Sequence, residues 1–585
     1  MGANGGKGNT DMEKIGTPFY LIKDGKAACT VVHSETPFPW EVYSEVTPPE
    51  SSIDTPVKNL RAIAKMVERI GDRTGVWLDI KTVREAEEIE GPKAILGRTK
   101  NDKLHLLGEA TSKQFLLTMD GENLITLGRT PGGYFAAIRM VESSLVYSED
   151  GKDVYIPAKD FRLYDRELPP TRHAFDKFTV SFYGTPYLHA ELEDENVFRD
   201  IVDFGTDMVP LFTGNWTDQM LDDMDRVARV RALIERFHAA GVSVRLYGVD
   251  HGEARRRFQT TGEWDLVEEN IRKIVSLYGD LPGVAHWGFF DEPEPDDFEY
   301  CAIVRRLFRR YDEKKRPVYI NMGPRAHCRG IQSFYDRFSD TVRPDFHCLD
   351  RYPFFMTERG AEVKEDYFYA HFERNRNAAI DDSVDSGMIL AAIKVGAAPQ
   401  YADVTQEFMD WQTNLLVAYG CRYLEQYVYY HAHQYCILGE GNRPTVRWHI
   451  ARKANLYLKK VMAELIDKEL YAVFHLPGKD GAYDIDTVPY TGYRNAGEVK
   501  GVDAVLSFYE GGVLVVTGKR ASVFDGDGHE VTITGFREKA QWFNPDTAAW
   551  ESISSCPAAK TGADGLTLTL GRAKQYILRA GAENA

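Results

Sequence analysis

Three carboxyl-bearing stretches of the 585-residue chain have the residue types and setting for acid–base chemistry. Asp291-Glu292-Pro293 closes the apolar run 284–292, Asp350-Arg351-Tyr352-Pro353 closes the run 346–353, and Glu425 sits among tyrosines in the run 421–430. A carboxyl flanked by Trp287, Phe289 and Phe290 loses hydration, which disfavours its charged form and lets it keep a proton near neutral pH. Such a group can protonate a leaving oxygen, the step that glycoside cleavage needs, so Glu292 is the candidate general acid. The competing structural reading makes Asp291 and Glu292 caps of the next helix, but Glu294, Asp296 and Asp297 suit that role better. Asp350 and Glu425 are candidates for a base, a nucleophile or a sugar-hydroxyl acceptor. For Glu425 the alternative is a buried carboxylate paired with Arg422 or Arg351.

Groups at equivalent places along the chain fill out the candidate site. Asp250 and His251, Trp216, Trp287, Asn321, Tyr352 and Tyr429 lie at or near the ends of apolar runs and are candidate substrate contacts, the aromatics as walls for a sugar ring. Asp250-His251 has a structural alternative as a local hydrogen-bonded pair. His431-Ala432-His433 lacks the accompanying carboxylate-and-His set of a metal site, and neither a metal nor a cofactor is expected.

The elements that must position these groups alternate. Between 176 and 467, eight apolar runs (178–184, 202–212, 242–250, 284–292, 317–324, 346–353, 388–396 and 421–430) alternate with amphipathic stretches such as 224–240, 264–278, 298–311 and 407–419. Eight βα units in about 290 residues fit a closed (β/α)8 barrel, whose chemistry sits at the C-terminal ends of its strands, where the polar groups above fall. The segment 17–158 reads as an α/β sandwich domain, with a hairpin turn at Lys23-Asp24-Gly25-Lys26 and a helix face of Leu60, Ile63, Met66, Val67 and Ile70. Residues 469–582 are Gly-punctuated alternating runs, including 504–508, 512–517, 521–524 and 566–570, a β-sandwich pattern. Neither flanking segment carries convergent acids, so both are expected to brace the barrel.

Composition narrows the partners. The net charge of −17 repels phosphate backbones and no basic patch is interleaved with aromatics, which disfavours nucleic acid, while the strand-end acid and aromatics make a carbohydrate the expected partner. The seven cysteines are scattered without a CxxC pair, so neither a zinc site nor a disulfide framework is indicated. No apolar run of 18 residues occurs, so no transmembrane helix is expected. Residues 1–16 read as a flexible Gly-rich tether of the kind that follows an export signal, so the mature part of an exported protein is expected.

These motifs resemble a known plan. Asp291-Glu292-Pro293 resembles the strand-four acid of retaining (β/α)8 glycoside hydrolases written Asn/Asp-Glu-Pro. Gly288-to-Pro293, Ile320-to-Pro324 and Asp350-to-Pro353 resemble bacterial carbohydrate-active proteins with the same strands four, five and six. The segment 116–137 is similar to the small α/β domain preceding the barrel in β-N-acetylhexosaminidases and α-glucuronidases. The resemblance implies a glycoside hydrolase of oligo- or polysaccharides, with a glycan-binding barrel that has lost catalysis as the alternative. One departure bears on mechanism: the Asn-Glu-Pro hydrolases carry a nucleophilic Glu at the end of strand seven, and the run 389–396 has no acid. Two routes without a protein nucleophile follow. In hexosaminidases an Asp-Glu pair ends strand four, which implies that Asp291 orients the substrate's own acetamido group. In an inverting reaction, Asp350 or Glu425 would act as base at about 6.5–9.5 Å from Glu292.

Overall fold

The computed structural model describes residues 16–33, 58–96, 106–108, 110–185, 192–212, 221–247, 252–323, 331–357, 360–363, 365–393, 402–430, 436–478, 496–520, 528–536, 539–571 and 573–580. The tether (1–15), Trp216, Asp250, His251, Cys328, His431, His433 and the strand expected at 521–524 lie outside these residues. The chain divides into two compact units near Leu168.

In the first unit, a six-stranded mixed sheet and a four-stranded antiparallel sheet accompany helices Lys58–Thr74 and Pro131–Ser143. The first hairpin turns at Asp24-Gly25, pairing Ile22 with Ala27. Helix Pro131–Ser143 starts where Pro131 supplies a helical φ and Thr130 accepts the Gly133 N–H at 3.0 Å. Ile63, Met66, Val67 and Ile70 enter the core of this unit.

The second unit is built on eight parallel strands: β1 (Thr179–Phe182), β2 (Met208–Phe212), β3 (Ser243–Tyr247), β4 (Val284–Asp291), β5 (Val318–Met322), β6 (Phe346–Arg351), β7 (Asp385–Ala391) and β8 (Tyr423–Tyr427). They pair in sequence from β2 to β8, and β8 pairs with β1. The remaining gap is bridged just before β2, where the Asp207 N–H donates to Val180 O at 2.7 Å. The second expected strand, 202–212, begins late: Glu195–Asp203 is a helix, because Val197 and Ile201 face the core one helical turn apart. Other amphipathic stretches form as expected. In Met224–Ala239, Asp223 caps the N-terminus and Val227, Val230, Leu233, Ile234 and Phe237 make the buried stripe.

Phe175 plugs the N-terminal end of the barrel, stacked on Tyr423 at 4.9 Å and edge-on to Phe346. Above it the core holds Tyr247, Tyr319, Cys348 and Ile389. Gly288 of β4 is required here, since a Cβ at this position would lie 2.5 Å from the Tyr247 ring. The register of β4 on β5 then shifts: Gly288 pairs with Tyr319, but Phe290 pairs with Ile320 and Asp291 with Asn321. Phe289 is the extra residue of a bulge, which changes the inward–outward phase of the strand. Without it, Asp291 would fall on the face opposite to Gly288.

The described residues between 470 and 579 form a six-stranded and a four-stranded antiparallel sheet. Helix Gln406–Ala418, on the outside of the barrel, is tied to the larger sheet by hydrogen bonds. Trp411 Nε1 donates to Lys519 O at 3.0 Å, Asn414 Nδ2 to Ala573 O at 2.8 Å, and Gln575 Nε2 returns to Asn414 O at 2.8 Å. Among the described residues no helix is long and apolar enough to cross a membrane.

Candidate active site

Asp291 ends β4 and faces the barrel mouth between β1 and β5. Tyr183, just past β1, donates its hydroxyl to Oδ2 at 3.1 Å, and Asn321 of β5 donates Nδ2 to Oδ1 at 2.8 Å. Glu292 follows with φ of 50°, in the left-handed region that non-glycine residues rarely adopt. Its N–H donates to Asn321 O at 2.8 Å, so the chain leaves the barrel at a defined angle. A left-handed residue persists only where its surroundings over-determine it, and such residues gather at functional sites. Glu294 and Asp297 form the reciprocal cap of the next helical turn, as expected, and Asp297 also binds Arg255 at 2.7 Å.

Asp350, on β6, is only 5% exposed. Burial lifts its carboxyl well above the ordinary range, and repulsion from Glu292 and a hydrogen bond shared with Glu292 add to the effect, with Arg351 opposing it. Asp291 is also raised, first by lost hydration and then by the charge of Glu292, against the stabilising Asn321 hydrogen bond. The residue opens on the mouth, but its carboxyl is ringed by Tyr183, Asn321 and the neighbouring acid. At the end of strand four the expected desolvation thus acts on Asp291, and on strand six burial acts likewise on Asp350.

Tyr183, Tyr427 and Tyr352 make an aromatic arc beside these acids. Tyr427 lies 5.5 Å from Tyr183 and 5.1 Å from Tyr352, ring centre to ring centre. Burial, then the charges of Asp291 and Asp350, push the Tyr427 hydroxyl up to about 12, so it stays a donor. The peptide bond after Tyr427 is cis.

Asp291, Glu292, Asp350, Asn321 and Tyr352 therefore come together at one end of the barrel. Three candidates do not join them. Trp287 is fully buried on the outer side of β4, stacked on Phe308 at 5.1 Å, with Nε1 donating to Asp312 at 3.0 Å. It is a packing residue rather than a sugar wall, because alternation along β4 turns it away from the lumen. Tyr429 stacks on Phe182 at 4.2 Å and touches Phe204, also buried away from the acids, since β8 has already ended at Tyr427. Glu425 lies in the barrel interior, fully buried. It accepts Arg245 Nη1 at 3.0 Å and Nη2 at 2.5 Å, and the hydroxyls of Tyr319 and Tyr423 at 2.7 Å each. Its partner is Arg245 of β3, neither Arg422 nor Arg351. The carboxylate is saturated by these four donors.

Asp350 meets Glu292 directly. The separation of about 6.5–9.5 Å that an inverting base requires is absent from this pair. Sequence reading missed Tyr183 and Tyr427 although a signal existed for the second: the alternation that turns Glu425 inward also turns Tyr427 inward. The described residues contain no group of three His, Cys, Asp or Glu side chains placed to hold a metal ion.

No family profile matches the chain, and no characterised protein is significantly similar to it in sequence. Loosely similar solved structures are a glycoside hydrolase family 5 protein of Bacteroides vulgatus (13% identity, 75% of this chain and 94% of that one, TM-score 0.44) and the endo-β-1,4-mannanase of Thermotoga petrophila (10%, 61% and 94%, 0.37). A β-galactosidase of Marinomonas ef1 overlaps at 10% identity with TM-score 0.38, over 49% of this chain and 60% of that enzyme's length. At these scores the overlaps carry no argument, and the barrel assignment rests on the strand order and parallel registers given above.

Proposed function

We propose that the protein is a glycoside hydrolase with Glu292 as general acid. The observation that carries this reading is the convergence of three carboxyl groups at the C-terminal ends of β4 and β6, where Asp291, held by Tyr183 and Asn321, and Glu292 stand beside the buried Asp350. Glu292 protonates the glycosidic oxygen as the anomeric C–O bond breaks. Asp350 keeps its own proton and donates its hydrogen bond to the carboxylate left behind, which stabilises the spent acid. Tyr183, Tyr352 and Tyr427 supply apolar faces and hydroxyl donors for one sugar ring.

The displacing group is the finer question. Asp350 is too close to Glu292 to hold a water for direct attack, and Glu425 is occupied by Arg245. Neighbouring-group participation is thereby favoured over inversion. Asp291, oriented by Tyr183 and Asn321, accepts the N–H of a 2-acetamido group whose carbonyl oxygen attacks the anomeric carbon. Water then opens the cyclic intermediate, giving its proton to Glu292.

The test is a panel of 4-nitrophenyl glycosides, comparing N-acetyl-glucosaminides and N-acetyl-galactosaminides with glucosides and galactosides, both anomers of each. Turnover confined to the 2-acetamido sugars with retention of anomeric configuration, followed by NMR, is expected. Inversion excludes acetamido assistance. Hydrolysis of none of these, or of natural oligosaccharides, would remove the enzymatic reading in favour of a glycan-binding barrel.

A further inference from the structure

We infer that Gly323 is a positioning residue for the general acid: the missing side chain at the end of β5 makes the space in which the Glu292 carboxyl meets Asp350. This rests on the reading of Glu292 as the acid. A Cβ built on Gly323 lies 2.7 Å from Glu292 Cδ, 2.8 Å from Cγ and 2.9 Å from Oε1. The three nearest heavy atoms to that position all belong to the Glu292 side chain, so the missing Cβ makes room for the acid. Gly323 does not have a positive φ, hence an alanine there meets no backbone strain of its own.

Glu292 cannot yield by moving its backbone. Its φ of 50° and its N–H donation to Asn321 O, two residues before Gly323, hold the main chain on the same strand end that carries the glycine. Only the side-chain torsions are soft. A methyl group at 323 therefore turns the carboxyl out of its place, away from Asp350, while the barrel core is untouched. Gly323→Ala should alter chemistry far more than folding. Because a general acid contributes typically 10²–10⁴-fold, a loss of about 10²-fold or more in kcat on poor leaving groups is expected.

Three measurements on the full-length protein test this. First, kcat of Gly323→Ala on methyl and 2,4-dinitrophenyl glycosides of whichever sugar the wild type cleaves: loss on the methyl glycoside and near-normal turnover of the dinitrophenyl one, with unchanged thermal unfolding, support the inference. Equal losses on both overturn it. Second, the same substitution in a Glu292→Gln background should add little, and paired with the shorter Glu292→Asp should cost less than in wild type. Full additivity overturns it. Third, a crystal structure of Gly323→Ala and a carboxyl carbon-13 titration need no substrate. A Glu292 carboxyl still on Asp350 with an unchanged titration overturns the inference, and a displaced one with an altered titration supports it even if the wild type hydrolyses no glycoside, which would instead defeat the functional reading.

Discussion

Glu425→Leu separates a structural from a chemical role for the third carboxylate. Arg245 is 1% exposed and Glu425 fully buried, so removing the acid leaves a guanidinium without counter-charge inside the barrel. Breaking a buried pair in this way costs about 3–5 kcal/mol. Arg245→Met leaves the carboxylate with only its two tyrosine donors and should cost a similar amount. In the double variant both charges are gone, and what persists is two buried hydroxyls, Tyr319 and Tyr423, deprived of their acceptor, about 1–3 kcal/mol each. The two single losses together should therefore exceed the double loss by about 4 kcal/mol, the difference reporting the pair itself. Urea titration of all four proteins at pH 7, followed by circular dichroism, measures each term. Additive losses would refute the pairing argument. So would a Glu425→Gln protein with wild-type unfolding and no turnover, which would make Glu425 part of the chemistry.

Three further outcomes follow from the acids and from one histidine. Glu292→Gln keeps the shape of the acid but removes its proton, so activity on unactivated glycosides should fall about 10²–10⁴-fold and aryl glycosides with good leaving groups should suffer less; equal small losses on both would dismiss the assignment. Asp350 has a folded-state proton affinity above that of the unfolded chain, so its contribution to stability is full below the ordinary carboxylate range and is lost as pH rises through the raised value. Asp350→Asn lacks that loss and should gain stability over wild type as pH rises, and its amide can still donate to Glu292, so kcat should lose one alkaline ionisation; an unchanged alkaline limb would count against the proton on Asp350. His286 is held down to about 3 by burial and by Arg245, so it stays neutral in the fold while the unfolded chain binds a proton below about 6.5. Wild type should therefore lose stability progressively between about pH 6.5 and 3, and His286→Gln should show a flatter acid limb in calorimetry over that window.

Local pattern carried much of the architecture. Apolar runs bounded by Gly, Pro and Asp, alternating with stretches of period 3.6, located all eight strands and helices such as Phe298–Tyr311, because burial against a common core imposes those periods. The bounds slipped where a helix turn precedes β2 (expected 202–212, found Met208–Phe212) and where β7 starts earlier (expected 388–396, found Asp385–Ala391). The rule that barrel chemistry sits at strand ends singled out Asp291, Glu292, Asp350, Asn321 and Tyr352, which the structure brings together. Identity of partners was another matter. Glu425 and Arg245 are 180 positions apart, and the choice of Arg245 over the nearer Arg422 depends on which β3 and β8 side chains share a layer of the barrel. Alternation alone would have turned Asp291 outward, and the bulge at Phe289 that reverses it is a register event between β4 and β5. The meeting of Asp350 with Glu292 joins two strands that are not neighbours in the sheet, across a lumen whose width is set by all eight. Periodicity is written residue by residue and can be read from one strand; distances across a closed barrel belong to the whole ring, and only the folded chain decides them.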